Sequence, residues 1–389
     1  MNETRDILVR GWRHIPHSYA VANQFLCLEL LRRAPGVRLF FQDVPYHAES
    51  WRATTDMFDA ESEAVLRSLP PPPADLKPAA EFRIAYPYDL LRPSPAARTV
   101  VFGTAEFLDV PPSYIAGGLT VAEAQRRSGA TLLAPSKWSK EGFVRSGVPA
   151  GCVELVPLGF DPAVFRPATQ EQRRQTRQEM GFRSDDFVFL HAGAMTSNKG
   201  LRFLFPAFAQ LLQMRPDARL VLKGADGLYQ SKQYVEKHLG ELKPEAAQAV
   251  LGRLTYLDER LSFADMARLY QASDCYVSSY VAEGFNMPVL EAAACGVPVI
   301  CTAGGPTDDF VSAEFALKID STLNPLDVPD QPAAMGLMPD LQHLVRLMLR
   351  MIDDAGFRSA ARAAGPAWVG ERFTWEKVTD RLLRVLLPR

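Results

Sequence analysis

Short apolar runs alternate with stretches of helical periodicity from one end of the chain to the other. Runs of this kind, bounded by Gly, Pro or polar turns, predict strands, and their alternation with helices is the pattern of parallel sheets. In the first half, strands are expected at residues 7–10, 37–42, 83–86, 99–102, 132–134 and 153–156. Residues 22–33 predict a helix with one apolar face, and Ser136 and Gly147 are placed to cap and close another. The proline run 70–73 must be a connector.

At residues 156–167 (Val-Pro-Leu-Gly-Phe-Asp-Pro-Ala-Val-Phe-Arg-Pro), Pro and Gly interrupt regular structure, as at a hinge between domains. A polar helix is expected at 170–180, after which the alternation restarts. Strands are expected at 187–193, 219–223, 254–257, 275–280 and 297–302, with helices at 201–214 and 263–271. The terminal residues 373–387 have apolar positions at helical spacing. The simplest architecture is α/β, with two Rossmann-like doubly wound domains facing one another. Their boundaries are set at 1–160 and 161–372.

The chain has 389 residues, enough for two ordinary domains, and its 47% hydrophobic and 23% charged shares suit a globular protein. The net charge of −2 gives no bulk attraction for nucleic acid. Over residues 1–163, 17 Lys and Arg stand against 18 Asp and Glu, so peripheral membrane contact has no basic surface to support it. Five scattered cysteines, an odd number, argue for reduced thiols rather than a disulfide framework. No apolar run approaches membrane-spanning length, and residues 1–6 lack a leader pattern, so a cytoplasmic protein is expected. Oligomeric state leaves no mark on the sequence.

The densest chemistry lies at 283–301, Glu-Gly-Phe-Asn-Met-Pro-Val-Leu-Glu-Ala-Ala-Ala-Cys-Gly-Val-Pro-Val-Ile-Cys. Glu283 falls on a strand-to-helix loop and Glu291 inside the helix that follows. Ligands of open α/β sheets bind outside the carboxyl ends of the strands, where both glutamates fall. A helix start at Met287–Pro288 offers unpaired N–H groups to a phosphate. A second turn, His191-Ala-Gly-Ala-Met-Thr-Ser-Asn-Lys-Gly200, places Gly193 where a backbone can approach a ligand and Lys199 where a diphosphate needs charge. Its spacing is not that of a Walker loop. Carboxylates beside a phosphate cradle suggest a nucleotide-sugar site.

These pieces resemble the retaining glycosyltransferases of the GT-B fold, the group 1 or family 4-like group. The resemblance rests on Gly193…Lys199-Gly200, Leu222-Lys223-Gly224, Ala272-Ser-Asp-Cys-Tyr-Val277 and Glu283 through Ala292. The hinge Val156-Pro-Leu-Gly-Phe-Asp161 is similar to the family's Val-Pro-Asn-Gly-Val-Asp, and the Trp375 helix resembles the segment, here 373–389, that crosses back onto the first domain. About the last three-fifths of the chain is covered at motif level. The resemblance implies a donor-binding second domain. There Glu291 would hold ribose hydroxyls, Glu283 would contact the transferred sugar, and Phe285, Asn286 and Met287 would offer amides to the diphosphate. Lys199 would neutralise the leaving phosphate. The family's Arg after the turn glycine is Ala194 here, leaving Thr196, Ser197 and Asn198 as neutral donors. Asn286 replaces a usual glycine.

The first domain would hold the acceptor. Its first loop, Trp12-Arg-His-Ile-Pro-His-Ser-Tyr19, replaces a glycine-rich one, and His17 and Ser18 are candidates to face the acceptor. Glu106 stands where the family often has a histidine and is the candidate acceptor-orienting base.

The implied reaction moves a sugar from a nucleotide diphosphate to a hydroxyl, on a glycan or glycoconjugate, through an oxocarbenium-like transition state. Glu283 and Glu291 belong to one loop–helix unit and do not flank a bond, unlike paired hydrolase carboxylates. Glu283 therefore reads as an orienter, and the leaving phosphate oxygen is the expected base. Domain closure at the hinge would exclude water. The six histidines make no cluster beyond His14 and His17, so no metal and no cofactor is expected beyond the co-substrate. Two rival readings stay open: a sugar phosphorylase of the same fold, which would demand inorganic phosphate, and a nucleotide-sugar-binding protein without turnover.

Overall fold

The computed structural model describes residues 5–388. The first four residues, part of the stretch read for a leader, and Arg389, the end of the expected terminal helix, lie outside the described residues. Two compact units divide the chain. One holds the residues up to Gly159, Pro325–Met335 and Phe373 onward, and the other holds Phe160–Asn324 and Gly336–Arg372. The stretch Pro325–Met335, left in the second domain on sequence grounds, thus groups with the first.

The first unit runs β1 (Arg5–Gly11), α1 (Ser18–Arg33), β2 (Val37–Asp43), α2 (Ala60–Ser68), β3 (Ala80–Ile84), β4 (Thr99–Phe102), α3 (Val121–Ser128), β5 (Thr131–Ala134), α4 (Lys137–Arg145) and β6 (Val153–Leu155). Its six-stranded sheet has the order β2-β1-β3-β4-β5-β6, and all neighbours are parallel. The third strand lies a few residues before the expected 83–86, because the charge of Glu81 disguises its start. Glu81 and Arg83 are both buried there. Burial opposes ionisation of Glu81, but hydrogen bonds from Arg83 and Ser94 outweigh it and hold the carboxyl below its usual range. Helix α1 starts four residues before the expected 22, because the His17 ring accepts from the Tyr19 N–H and caps it.

The second unit continues with α5 (Gln170–Glu179), β7 (Phe187–Ala192), α6 (Leu201–Met214), β8 (Ala218–Lys223), α7 (Ser231–Gly240), α8 (Pro244–Leu251), β9 (Leu254–Leu257), α9 (Phe263–Ala272), β10 (Cys275–Ser278), α10 (Met287–Ala294), β11 (Val299–Thr302), β12 (Ala316–Ile319), α11 (Leu341–Asp353) and α12 (Ala355–Gly370). The sheet order is β12-β11-β10-β7-β8-β9, again parallel throughout. Side chains alternate across it. Phe189, Leu220, Leu222, Val277 and Ile300 form one core with α6 and α11. On the other face Tyr276 meets Tyr270 of α9, with ring centroids 5.8 Å apart. Both faces are covered, which is why these strands read as unbroken apolar runs.

Helix α13 (Trp375–Leu386) belongs to the first unit. Thr374 caps it, and Trp375, Val378, Thr379, Leu382 and Leu386 form its buried stripe. Trp375 stacks on Phe25 of α1 at 5.2 Å, and Arg33 binds Glu376 and Asp380 on the wet side.

Candidate donor site

The strand β7 is buried along its length and is followed by Gly193, whose φ of 149° favours glycine. Helix α6 begins at Leu201, where it is expected. Ser197–Lys199 is a 3-10 turn, and Gly200, at φ 78°, separates it from α6. Only glycine fits there, because a Cβ would lie 1.8 Å from the Ser279 carbonyl oxygen. That close approach brings the turn against the end of β10. Asn198 fastens it: its side-chain amide donates to Ala282 O at 3.0 Å, and its carbonyl accepts from Val281 N–H at 2.7 Å.

The turn and the loop after β10 then present Lys199 to Glu283, with Nζ 2.6 Å from Oε1. The Lys199 stem passes over Gly193, 3.6 Å from where a Cβ would stand. Thr196 does not fit its expected role as a neutral donor through its hydroxyl, which donates to Asn198 Oδ1 at 2.6 Å. Asn198, tied to Ala282, is likewise committed to holding the loop.

Beyond Glu283 the loop turns into α10 through Asn286, at φ 77°. Asn is among the residues that adopt this conformation, and its amide donates to Ser278 Oγ at 3.0 Å, so the replaced glycine is accommodated. Among the described residues, the backbone N–H groups of Phe285, Asn286 and Met287 make no hydrogen bond. They stand at a helix N-terminus, where partial positive charge favours an anion. The Phe285 ring points elsewhere, stacked on Phe310 at 4.8 Å, so its backbone is what it can offer.

Glu291 lies on the buried side of α10 and accepts from Tyr270 OH at 2.8 Å. Burial pushes its carboxyl up to about 7, only partly offset by the Tyr270 hydrogen bond. The structure thus brings Gly193, Lys199, Glu283, Asn286 and Glu291 to the carboxyl ends of β7 and β10.

Glu106 belongs to the first unit and stands beyond β4. Its carbonyl accepts from Trp138 Nε1 at 2.8 Å, and its charge acts on the buried phenols of Tyr19 and Tyr88. Those phenols and Thr104 form a hydroxyl cluster, with Tyr19 OH 3.0 Å from Tyr88 OH and 2.9 Å from Thr104 Oγ1. His17 is a helix cap with its ring against Trp12 and Trp51, while Ser18 is exposed. His14 instead approaches Glu63, at 3.6 Å. Among the described residues no group of three or more His, Cys, Asp or Glu is placed to hold a metal ion.

Sequence reasoning gave no role to His191, Tyr270 or Lys223. His191, the last residue but one of β7, is almost fully buried; Nδ1 lies 2.8 Å from Val277 O, and among the described residues Nε2 has no hydrogen-bond partner. Burial pushes it down to about 4, and the nearby charge of Lys199 adds to the effect, so the ring is neutral at pH 7. The available signal was a lone polar residue on an apolar strand, directly ahead of the glycine turn.

Residues 172–324 match the family profile described as Glycosyl transferases group 1. A GDP-mannose-dependent monoacylated alpha-(1-6)-phosphatidylinositol monomannoside mannosyltransferase of Corynebacterium glutamicum is 30% identical over 242 residues, 60% of this chain and 55% of that protein. The chain spans about half the length of the curated relatives it matches. HepE of Anabaena, solved in complex with UDP and glucose, superimposes with a TM-score of 0.69 at 16% identity, covering 98% of this chain and 99% of that one. A glycosyltransferase from Rickettsia africae gives a TM-score of 0.70 at 14% identity, covering 99% and 98%. The chain therefore has the GT-B fold, and residues 172–324, within its second unit, match the profile of the group 1 glycosyltransferases.

Proposed function

We propose that this protein transfers a sugar from a nucleotide-diphosphate sugar to a hydroxyl acceptor on a glycan or glycoconjugate, retaining the anomeric configuration. The Lys199–Glu283 pair carries the reading: it stands beside the unpaired N–H groups that open α10, with Glu291 on the same helix. A dianionic leaving group needs positive charge, a sugar needs a carboxylate to orient its hydroxyls, and a ribose needs two acceptors. These residues supply all three. The GDP-mannose dependence named for the Corynebacterium protein and the UDP and glucose bound by the Anabaena one support the same choice.

In this scheme the bond between the anomeric carbon and the leaving phosphate oxygen breaks as the acceptor oxygen bonds to the same face. The acceptor proton passes to that phosphate oxygen, giving a glycoside and a nucleoside diphosphate. Lys199 and the N–H groups of Phe285, Asn286 and Met287 stabilise the departing charge. Glu283 holds the sugar, and Glu106 orients the acceptor. Positive charge thus comes from the chain itself, so the donor is used without a metal. The free cysteines, four of them buried, fit a cytoplasmic setting.

Thermal-shift screening with UDP, GDP, ADP and dTDP sugars, followed by NMR of the product, tests this. A stabilising donor and a product of unchanged anomeric configuration are expected. A demand for inorganic phosphate would instead identify a phosphorylase, and donor binding without turnover a binding protein.

A further inference from the structure

One more charged side chain sits at the ligand-side edge of the second sheet. Lys223 ends β8 as the register partner of Ala192, and its carbonyl accepts from the Gly193 N–H at 3.0 Å. Leu220 and Leu222 point into the core with α6, so alternation puts Lys223 on the opposite face. That face also carries Tyr276, through the register partners Leu190 and Val221. Tyr276 packs on Tyr270, which in turn holds Glu291.

Lys223 is only 8% exposed, and its ammonium donates to the carbonyl of the adjacent Gly224. An ammonium has three donors, and a buried charge without a close counter-ion is costly. The acids that act on it, Asp226, Glu259 and Asp258, do so without a salt bridge to it among the described residues. Asp226 is already engaged by Tyr256 OH and by the Lys232 N–H at 2.9 Å. Burial lowers the Lys223 pKa, as expected for a cation short of partners.

The neighbouring turn lacks charge at Ala194, and it is fastened to the same region. Ser231 Oγ donates to Ala194 O at 2.7 Å and accepts from the Ala225 N–H at 3.0 Å.

We propose that Lys223 is a donor-binding residue that contacts the phosphate nearer the ribose, supplying from β8 the charge that the turn lacks at Ala194. This rests on the nucleotide-sugar reading. Lys199 is bound to Glu283 in the loop beyond β10, whereas Lys223 shares a sheet face with Tyr276, which packs on the Tyr270 that holds Glu291, so the two cations divide the diphosphate between its ends.

The test is calorimetric titration of nucleosides, monophosphates and diphosphates of uracil, guanine, adenine and thymine into wild type, Lys223→Met and Lys199→Met. Losing one charge-assisted contact lowers affinity roughly 10–100-fold. Lys223→Met should lower monophosphate and diphosphate affinity alike by that factor and leave the nucleoside unchanged. Lys199→Met should weaken only the diphosphate. Equal weakening of the nucleoside by Lys223→Met, or weakening of the diphosphate alone, overturns the assignment. The melting temperature of unliganded Lys223→Met should equal or exceed that of wild type, since an isosteric apolar side chain replaces a poorly paired buried ammonium. A fall in that temperature with unchanged nucleotide affinity would make Lys223 a structural residue. A wild type that binds none of these compounds removes the donor reading as well. Wild-type binding with an indistinguishable Lys223→Met removes this proposal alone.

Discussion

Glu291 has an unusual titration, and donor binding should reveal it. Its carboxyl is raised from the ordinary 4.5 to about 7 by burial. Below the ordinary value, both folded and unfolded chains hold the proton. As pH rises towards 7 the unfolded carboxyl ionises first, so this group costs stability across that window. Ribose hydroxyls donating to Glu291 would favour its anion. Donor binding should therefore release a proton below pH 7, and affinity should rise with pH up to about 7 and then level off. Calorimetry in buffers of different ionisation heat measures this, and Glu291→Gln should abolish it. A proton-independent wild type would contradict the role. In steady-state assays, Glu291→Ala should raise donor KM roughly 10-fold, while Glu283→Ala should mainly depress kcat, roughly 100-fold. Both glutamates were legible because they flank a helix start marked by Gly284 and Pro288. Tyr270 was not, because it falls on the apolar face of a helix 21 residues before its partner.

Among the elements, the turn before α6 is the most constrained. Gly200→Ala would meet the Ser279 carbonyl and hold a side chain at positive φ, costing about 2–4 kcal/mol. Chemical denaturation reads that loss, and a variant as stable as wild type would show the close approach to be wrong. The same variant should weaken diphosphate binding, because the turn delivers Lys199 to Glu283. The strands of the second sheet were readable from sequence because both faces are covered. β3 was placed late because Glu81, paired with Arg83 in the core, looks like a surface residue. The start of α1 was missed because a histidine ring is an uncommon cap.

At the scale of the whole molecule, the two-sheet plan followed from the alternation of strands and helices, and the division after Gly159 coincides with a run of Pro and Gly. The boundary at Pro325–Met335 did not: its prolines Pro325, Pro329 and Pro332 mark a loop but not the unit it joins. The first unit carries its polar groups on loops such as that of Trp12 and His17, which have no period, so only fold-level reading reached it. With positive charge supplied by side chains and backbone N–H groups, turnover should stay within about twofold after EDTA treatment. A collapse reversed by a divalent cation would contradict that. The central claim is a nucleotide-sugar site built on Lys199, Glu283 and Glu291, and calorimetry of nucleoside diphosphates against wild type and Lys199→Ala tests it most directly. The account predicts that wild type binds a diphosphate far better than its nucleoside and that Lys199→Ala loses most of that difference. A wild type that binds no nucleoside diphosphate, or a Lys199→Ala variant that keeps the full difference, would contradict it.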